Sequence, residues 1–374
     1  MYNFNWITPS DELLPNPPQN SPCKIYTGDS IEDFITSIGY NCECVKITTG
    51  ATVSSYHFDL HNIRHVKKVN ADIVPMLKAE LKCSVISNKS DIAHFALEIP
   101  NQARSDVYLK SAMMTHEFMN TSGIPACLGT DVEGKALAVD ISSLPHMIVS
   151  GTTGSGKSVL INSIITSIIF RLPPSACQFV LIDPKKSEFF QFANIPHLFN
   201  TVITDTNEAI HMLSEMVRIM EERSTLLESM GKRDITGTDI IPIIIVIDEL
   251  ADLMDTSKGE VEEYITRLAQ RGRSCGLHLI IATQSPRSSV LTPLVRSNIL
   301  TKVALRCTTD IDSRISLGRN GARDLLGRGD GIIQGLPGDI REYRFQAAWI
   351  SPEDIQRVVW WWNSPHCWSP VVGQ

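Results

Sequence analysis

An α/β fold organised around a parallel sheet, with a smaller α+β unit ahead of it, is what this 374-residue sequence predicts, and three observations carry the prediction. Residues 151–158 read Gly-Thr-Thr-Gly-Ser-Gly-Lys-Ser, set between a short apolar run, Met147–Val149, and a longer one, Val159–Phe170, that is apolar nearly all round. Ile240–Ile247 is apolar and β-branched apart from Pro242, the composition of a strand covered on both faces, and it runs into Asp248-Glu249. Strand-like and helix-like segments then alternate as far as Ile333, the order of βαβ units.

Residues 1–22 carry Pro9, Pro15, Pro17, Pro18 and Pro22 among several Asn and Ser, so an irregular lead-in without a packed core is expected. From 23 to 105 the pattern predicts a helix over Ser30–Ile38, strands over Cys42–Thr48 and Thr52–Asp59, a helix over Ala71–Leu81, and strands over Ser84–Ser87 and His94–Ile99. That mixture suits a small α+β domain. A helix and a strand pair, Cys127–Asp131 and Ala136–Asp140, lead from 106 into Met147, and the α/β order beyond them extends this second domain to 350. Ser351-Pro-Glu-Asp354 is a helix start, with a hydroxyl cap, proline in the first turn and acids at the positive dipole end. The helix it opens ends at Trp360-Trp361-Trp362, within a C-terminal segment 351–374. With Trp368, these rings either cover a sheet edge or form a partner-binding tail.

The chemistry lies at strand ends. Gly151, Gly154 and Gly156 let successive backbone N–H groups turn inward around an anion at the positive end of a helix. Gly151, Thr152, Thr153, Gly154, Ser155, Gly156, Lys157 and Ser158 therefore read as a phosphate-binding loop for ATP, with Lys157 reaching the β- and γ-phosphates and Ser158 holding Mg2+. Asp248, ending a buried strand, would meet the Mg2+ through water, and Glu249 is placed to polarise an attacking water, which makes the binder a hydrolase. Alternatively the two acids only cap the helix that follows. Leu277–Ala282 reads as a further strand ending in Thr283-Gln284, a pair positioned to sense a γ-phosphate or simply the polar end of a strand.

Composition sets limits. The sequence is 43% hydrophobic, 20% charged and carries a net charge of −7, which excludes a uniformly basic nucleic-acid binder but not a local basic channel. Nine Lys or Arg against six acids between Arg296 and Arg344 make such a stretch, or a solvated arginine face. No apolar run approaches the roughly 18 residues that span a bilayer, and the start lacks a signal-peptide pattern, so a cytoplasmic protein with reduced thiols and no membrane insertion is expected. Cys42-Glu-Cys44 has no second pair at ligand spacing; the four-residue spacing of His57, His61 and His65 would align them on one helix face, but the strand-like alternation of Ala51–Leu60 puts His57 and His61 on one sheet face without tetrahedral geometry, so a structural role is preferred.

Taken together, Pro145–Ser158, Ile182-Asp-Pro-Lys185, Ile195-Pro-His197, Val202-Ile-Thr-Asp205, Asp248–Met254, Arg267-Leu-Ala-Gln270, Gly276-Leu-His278, Ala282-Thr-Gln284, Ile311-Asp-Ser-Arg314 and Leu325–Asp330 resemble the motor of the FtsK/SpoIIIE DNA translocases. Leu97–Asn101, Val107-Tyr-Leu109, Leu128-Gly129 and Ala138-Val-Asp140 resemble the segment joining that family's smaller motor subdomain to its ATPase subdomain. The likeness covers roughly residues 42 to 360 and leaves out the proline-rich start and the last dozen residues.

The resemblance implies a RecA-like ATPase core and a ring, usually a hexamer, that hydrolyses ATP between subunits and pulls double-stranded DNA through its centre. It assigns Lys157 and Ser158 to phosphate and Mg2+, Asp248 and Glu249 to metal and water, Gln284 to sensing, and Arg273 to an arginine finger donated to a neighbour. It also implies DNA contacts from Arg287, Arg296 and Arg314, of the backbone-tracking and salt-sensitive kind. Two departures bear on those contacts: Thr283-Gln284-Ser285-Pro286 where many relatives have Thr-Gln-Arg-Pro, and Asp310 where relatives often carry lysine. Chromosome-partitioning members add a membrane anchor and a winged-helix module, so a motor-only relative of the kind carried by mobile elements, taking its direction from a protein partner, is expected. A DNA-delivery coupling or packaging ATPase and a non-translocating assembly switch are the other readings.

Overall fold

The computed structural model describes residues 4–18, 23–60, 69–89 and 94–370. His61 and His65, and Pro22 of the lead-in, lie outside them. Near the N-terminus β1 (Phe4–Trp6) is followed by α1 (Gly28–Ser37), β2 (Cys42–Thr49), β3 (Val53–Leu60), α2 (Val74–Leu81), β4 (Ile86–Lys89) and β5 (His94–Pro100). The strands β2-β3-β5-β4 pair in that order as an antiparallel sheet. Its inner face packs Tyr56, Phe58, Phe95 and Leu97 against Ile31 and Ile35 of α1 and Leu77 of α2.

The remainder builds one nine-stranded sheet. Its elements are α3 (Leu109–Met113), α4 (His116–Met119), β6 (Pro125–Asp131), β7 (Ala136–Asp140), β8 (Met147–Ser150), α5 (Lys157–Arg171), β9 (Gln178–Ile182), α6 (Thr206–Ser229), β10 (Ile243–Ile247) and α7 (Leu250–Arg271). There follow β11 (Leu277–Thr283), α8 (Pro293–Asn298), β12 (Thr301–Leu305), α9 (Asp310–Leu317), β13 (Asp330–Gln334), β14 (Tyr343–Ala347), α10 (Pro352–Trp362) and β15 (Trp368–Pro370). Strand order is β7-β6-β14-β13-β12-β8-β11-β10-β9. The run from β12 to β9 is parallel, as predicted, whereas β13, β14, β6 and β7 extend it as an antiparallel wing. The sheet is therefore mixed.

Alternation along the parallel strands divides the core in two. Val149, Leu181, Val246 and Ile280 face α5 and α10, while Ile148, Val180, Ile245 and Ile281 face α6 and α7. This is why β10 is apolar at every position and why α5 is buried nearly all round. Pro242 stands before β10 rather than within it, because it has no N–H for the ladder; its carbonyl accepts Gln178 N–H at 2.9 Å.

Residues 4–18 and 351–370 make more contacts than the lead-in composition implies. β1 pairs with β15, and Leu14 is buried in the main core, its carbonyl accepting from Lys110 Nζ at 2.6 Å. Trp362 is buried and donates its indole N–H to Ile169 at 2.9 Å, and Trp361 donates to Ile7 at 3.1 Å. Trp360 is 60% exposed. Ser351 caps α10 on Asp354 N–H, as predicted. No helix among the described residues is long and apolar enough to cross a membrane.

Candidate functional site

β8 lies between β11 and β12, its parallel neighbours, yet the chain leaving it crosses to β9 at the far edge. A crevice at the carboxyl ends results, and residues 151–156 fill its mouth. Gly151 N–H donates to Thr283 at 3.2 Å, Thr152 N–H to Arg306 at 3.0 Å, and Ser155 N–H to Thr152 at 3.0 Å, so the loop is anchored to both neighbours. Gly156 caps α5 at φ +101°, where a Cβ would lie 2.4 Å from the Gly329 nitrogen. Only glycine fits there.

Lys157 is 3% exposed and lies across the crevice floor: its Nζ donates to Asp248 Oδ1 at 2.6 Å and to the Asp248 carbonyl at 2.7 Å. The two sequence-predicted elements, 91 residues apart, are thus in direct contact. Asp248 Oδ2 is buried and has no hydrogen-bond partner among the described residues. With the half-buried Ser158 hydroxyl, it supplies hard oxygen ligands of the kind Mg2+ takes.

Glu249, 2% exposed, is fixed from four sides. It accepts Thr283 Oγ1–H at 2.6 Å, Gln284 N–H at 3.0 Å, Lys185 Nζ at 3.2 Å and Ala251 N–H at 3.3 Å. Burial pushes its carboxyl up, but the Thr283 hydroxyl, the Gln284 N–H, Lys185 and Lys157 together outweigh it and leave the group below its ordinary value. Gln284 Oε1 in turn accepts Thr153 Oγ1–H at 2.8 Å, so this residue joins the acid to the tip of the glycine loop.

Two clefts flank the loop. A polar one of about 430 Å³ is lined by Thr152–Ser155 with Arg306, Thr308 and Arg323. A second, of about 360 Å³, has apolar walls from Val107, Val159, Ala347 and Trp349 beside Gly154 and Gly156. Lys185, Arg306 and this apolar wall escaped reasoning from spacing alone. For Lys185 the signal was present: Asp183-Pro184-Lys185 follows a buried strand next to the one that ends in Asp248.

Arg273 lies elsewhere. β11 pairs with β8 from Ile280–Met147 to Thr283–Ser150, so the turn before Leu277 sits at the amino ends of the strands, opposite the glycine loop. Arg267 is engaged by Glu221 and Glu263 and Arg271 donates to Ser224, whereas Arg273 is exposed and its guanidinium makes no hydrogen bond or ion pair with the described residues. Arg287, Arg296 and Arg314 stand on three elements: the exposed loop after Gln284, α8, and α9. Arg296 donates to Leu291 at 3.1 Å and Arg314 to Asn320 at 2.8 Å. His57, on β3, is half-buried with Nε2 3.4 Å from Ser55 Oγ.

The FtsK/SpoIIIE family model matches residues 108–241 and 237–288. The DNA translocase FtsK of Caldanaerobacter subterraneus subsp. tengcongensis is 34% identical over 369 residues, covering 94% of this chain and 51% of that protein. The chain belongs to the FtsK/SpoIIIE family. The DNA translocase FtsK of Oceanobacillus iheyensis is 35% identical over 383 residues, covering 96% of the chain and 48% of the relative. The chain thus spans about half the length of these curated FtsK/SpoIIIE relatives. Among solved structures, the pCW3 conjugation coupling protein TcpA, in monomer form with ATPγS, superposes with a TM-score of 0.59 at 20% identity, covering 88% of this chain and 99% of that one. The cytoplasmic domain of the Thermomonospora curvata type VII secretion ATPase EccC gives 0.59 at 22% identity, covering 72% and 36%. These two share its mixed α/β fold.

Proposed function

We propose that this chain is an ATP-hydrolysing motor that moves double-stranded DNA, working as a ring of copies, a hexamer in the family's usual form, with nucleotide at each interface. The observation that carries the reading is the assembled pair of elements at one crevice: Lys157 on Asp248, and Glu249 held by Thr283, Gln284 and Lys185. The 34–35% identity to proteins named DNA translocase supports DNA as the cargo and translocation in preference to a coupling or packaging role.

The N–H groups of residues 151–156 would bind the β-phosphate, and the apolar cleft by Trp349 would receive the base. Lys157 would leave Asp248 Oδ1 for the β- and γ-phosphates, exchanging one anion for another without being stranded in a buried site. Ser158 and Asp248 would hold Mg2+, which when bound would neutralise charge on the phosphates. Glu249, kept ionised by its donors, would orient the attacking water and receive its proton. Gln284 would report γ-phosphate loss from Thr153 to Glu249.

Arg273 cannot serve its own loop from the far end of the sheet, so its role as a finger requires a second copy. Arg287, Arg296 and Arg314 would track DNA phosphates, a partner protein would supply the address, and the motor would act in the cytoplasm. The test is ATPase rate with and without long duplex DNA at low salt. Stimulation that fades with salt is expected; an unchanged rate would sink the reading.

A further inference from the structure

We propose that the small α+β unit sets the shape of the phosphate loop through two side-chain routes that converge on residues 326–329, with Thr52, Glu98, Arg344 and Gln346 as positioning residues for nucleotide binding. This rests on the reading of Gly151–Ser158 as an ATP site.

Residues 326–329 lie directly behind that loop. Arg328 N–H donates to the Gly154 carbonyl at 3.3 Å and Gly329 N–H to that of Ser155 at 2.6 Å. Gly327, Arg328 and Gly329 all have left-handed backbone, at φ +78°, +52° and +93°. That conformation is costly for an arginine and persists only where the surroundings over-determine it.

The surroundings that do so are side chains of β13 and β14, which in turn reach the small sheet. Asp330 Oδ2 accepts Leu326 N–H at 2.7 Å and Arg344 Nη2 at 2.7 Å, and Arg344 Nη1 reaches Glu98 Oε2 at 3.0 Å. Asp330, Arg344 and Glu98 are all buried, and Glu98 belongs to β5. A second route runs beside it: Gln346 Nε2 donates to the Arg328 carbonyl at 2.7 Å, and Thr52, in the turn between β2 and β3, donates its hydroxyl to Gln346 Oε1 at 3.2 Å. A shift of the small sheet would therefore pull on both ends of the segment that supports Gly154 and Ser155.

Thr52→Val removes one hydroxyl while keeping the side chain's shape, and Glu98→Gln removes a charge while keeping an acceptor. Both should be measured in the full chain by equilibrium binding of a fluorescent ATP analogue, alongside thermal unfolding. Each is expected to weaken binding by roughly three- to tenfold with little change in melting temperature, and Thr52→Ser should restore it. Variants that melt like wild type and bind equally well would overturn the proposal. If Glu98→Gln fails to fold, Thr52→Val against Thr52→Ser decides alone. Failure of the wild-type chain to bind the analogue would instead remove the ATP reading itself, and this inference with it.

Discussion

Replacing Glu249 by glutamine separates catalysis from scaffolding, because the carboxylate is filled by donors on both sides. Oε2 receives Gln284 N–H and Lys185, and Oε1 receives the Thr283 hydroxyl and Ala251 N–H. A carboxamide accepts on one side only. With its oxygen towards Gln284 and Lys185, its NH2 faces Thr283, whose hydroxyl can turn to accept, and Ala251, whose N–H cannot. One buried N–H is left unmet, at a cost of about 1–3 kcal/mol. Loss of the base should lower the hydrolysis rate by about 10²–10⁴, while ATP binding through Lys157 and the glycine loop persists. Single-turnover hydrolysis with parallel ATP-binding titrations measures both. The acid limb of stability changes too: the carboxyl sits below 4.5 in the fold, so its contribution is full above that pH and is lost as pH falls through the folded value. Glu249→Gln should be flatter in that window. Hydrolysis at the wild-type rate would refute the role given to Glu249.

Three further expectations follow from the same geometry. Arg273→Ala, an exposed site, should alter stability by no more than about 0.5 kcal/mol yet slow hydrolysis by about 10³, and mixing it with Glu249→Gln should restore activity at interfaces whose two halves are intact; no recovery on mixing would count against a finger given in trans. Burial holds His146 and His197 at about 4 and His278 at about 3, below the 6.5 of an unfolded chain, so unfolding takes up protons and each should remove about 1.4 kcal/mol per pH unit below 6.5. Melting temperature flat from pH 7 to 5 would contradict this. Trp362→Ala should cost about 3–5 kcal/mol by denaturant unfolding, whereas Trp360→Ala should cost almost nothing, and equal effects would mean the tail is packed otherwise.

What was legible in the sequence is what local spacing encodes. The strand, glycine loop and helix of 147–170, and the β-branched strand ending in Asp248-Glu249, each declare themselves within a few residues, because burial on both faces and an anion-binding turn constrain every position. The antiparallel wing did not, since the strand pair 125–140 reaches the main sheet only through β14, some 200 residues later. The Glu98–Arg344–Asp330 triad was illegible as a site for the same reason: its meaning lies in partners distant along the chain. Prolines made the lead-in look irregular, but Leu14 and the backbone of β1 find partners that composition cannot announce.

The central claim is that ATP hydrolysis in this chain moves duplex DNA. A triplex-displacement assay on long duplex tests it most directly. Wild type should strip the third strand only with ATP, and Glu249→Gln should bind ATP without stripping it. Equal release by both proteins, or steady hydrolysis by wild type with no release, would contradict the account.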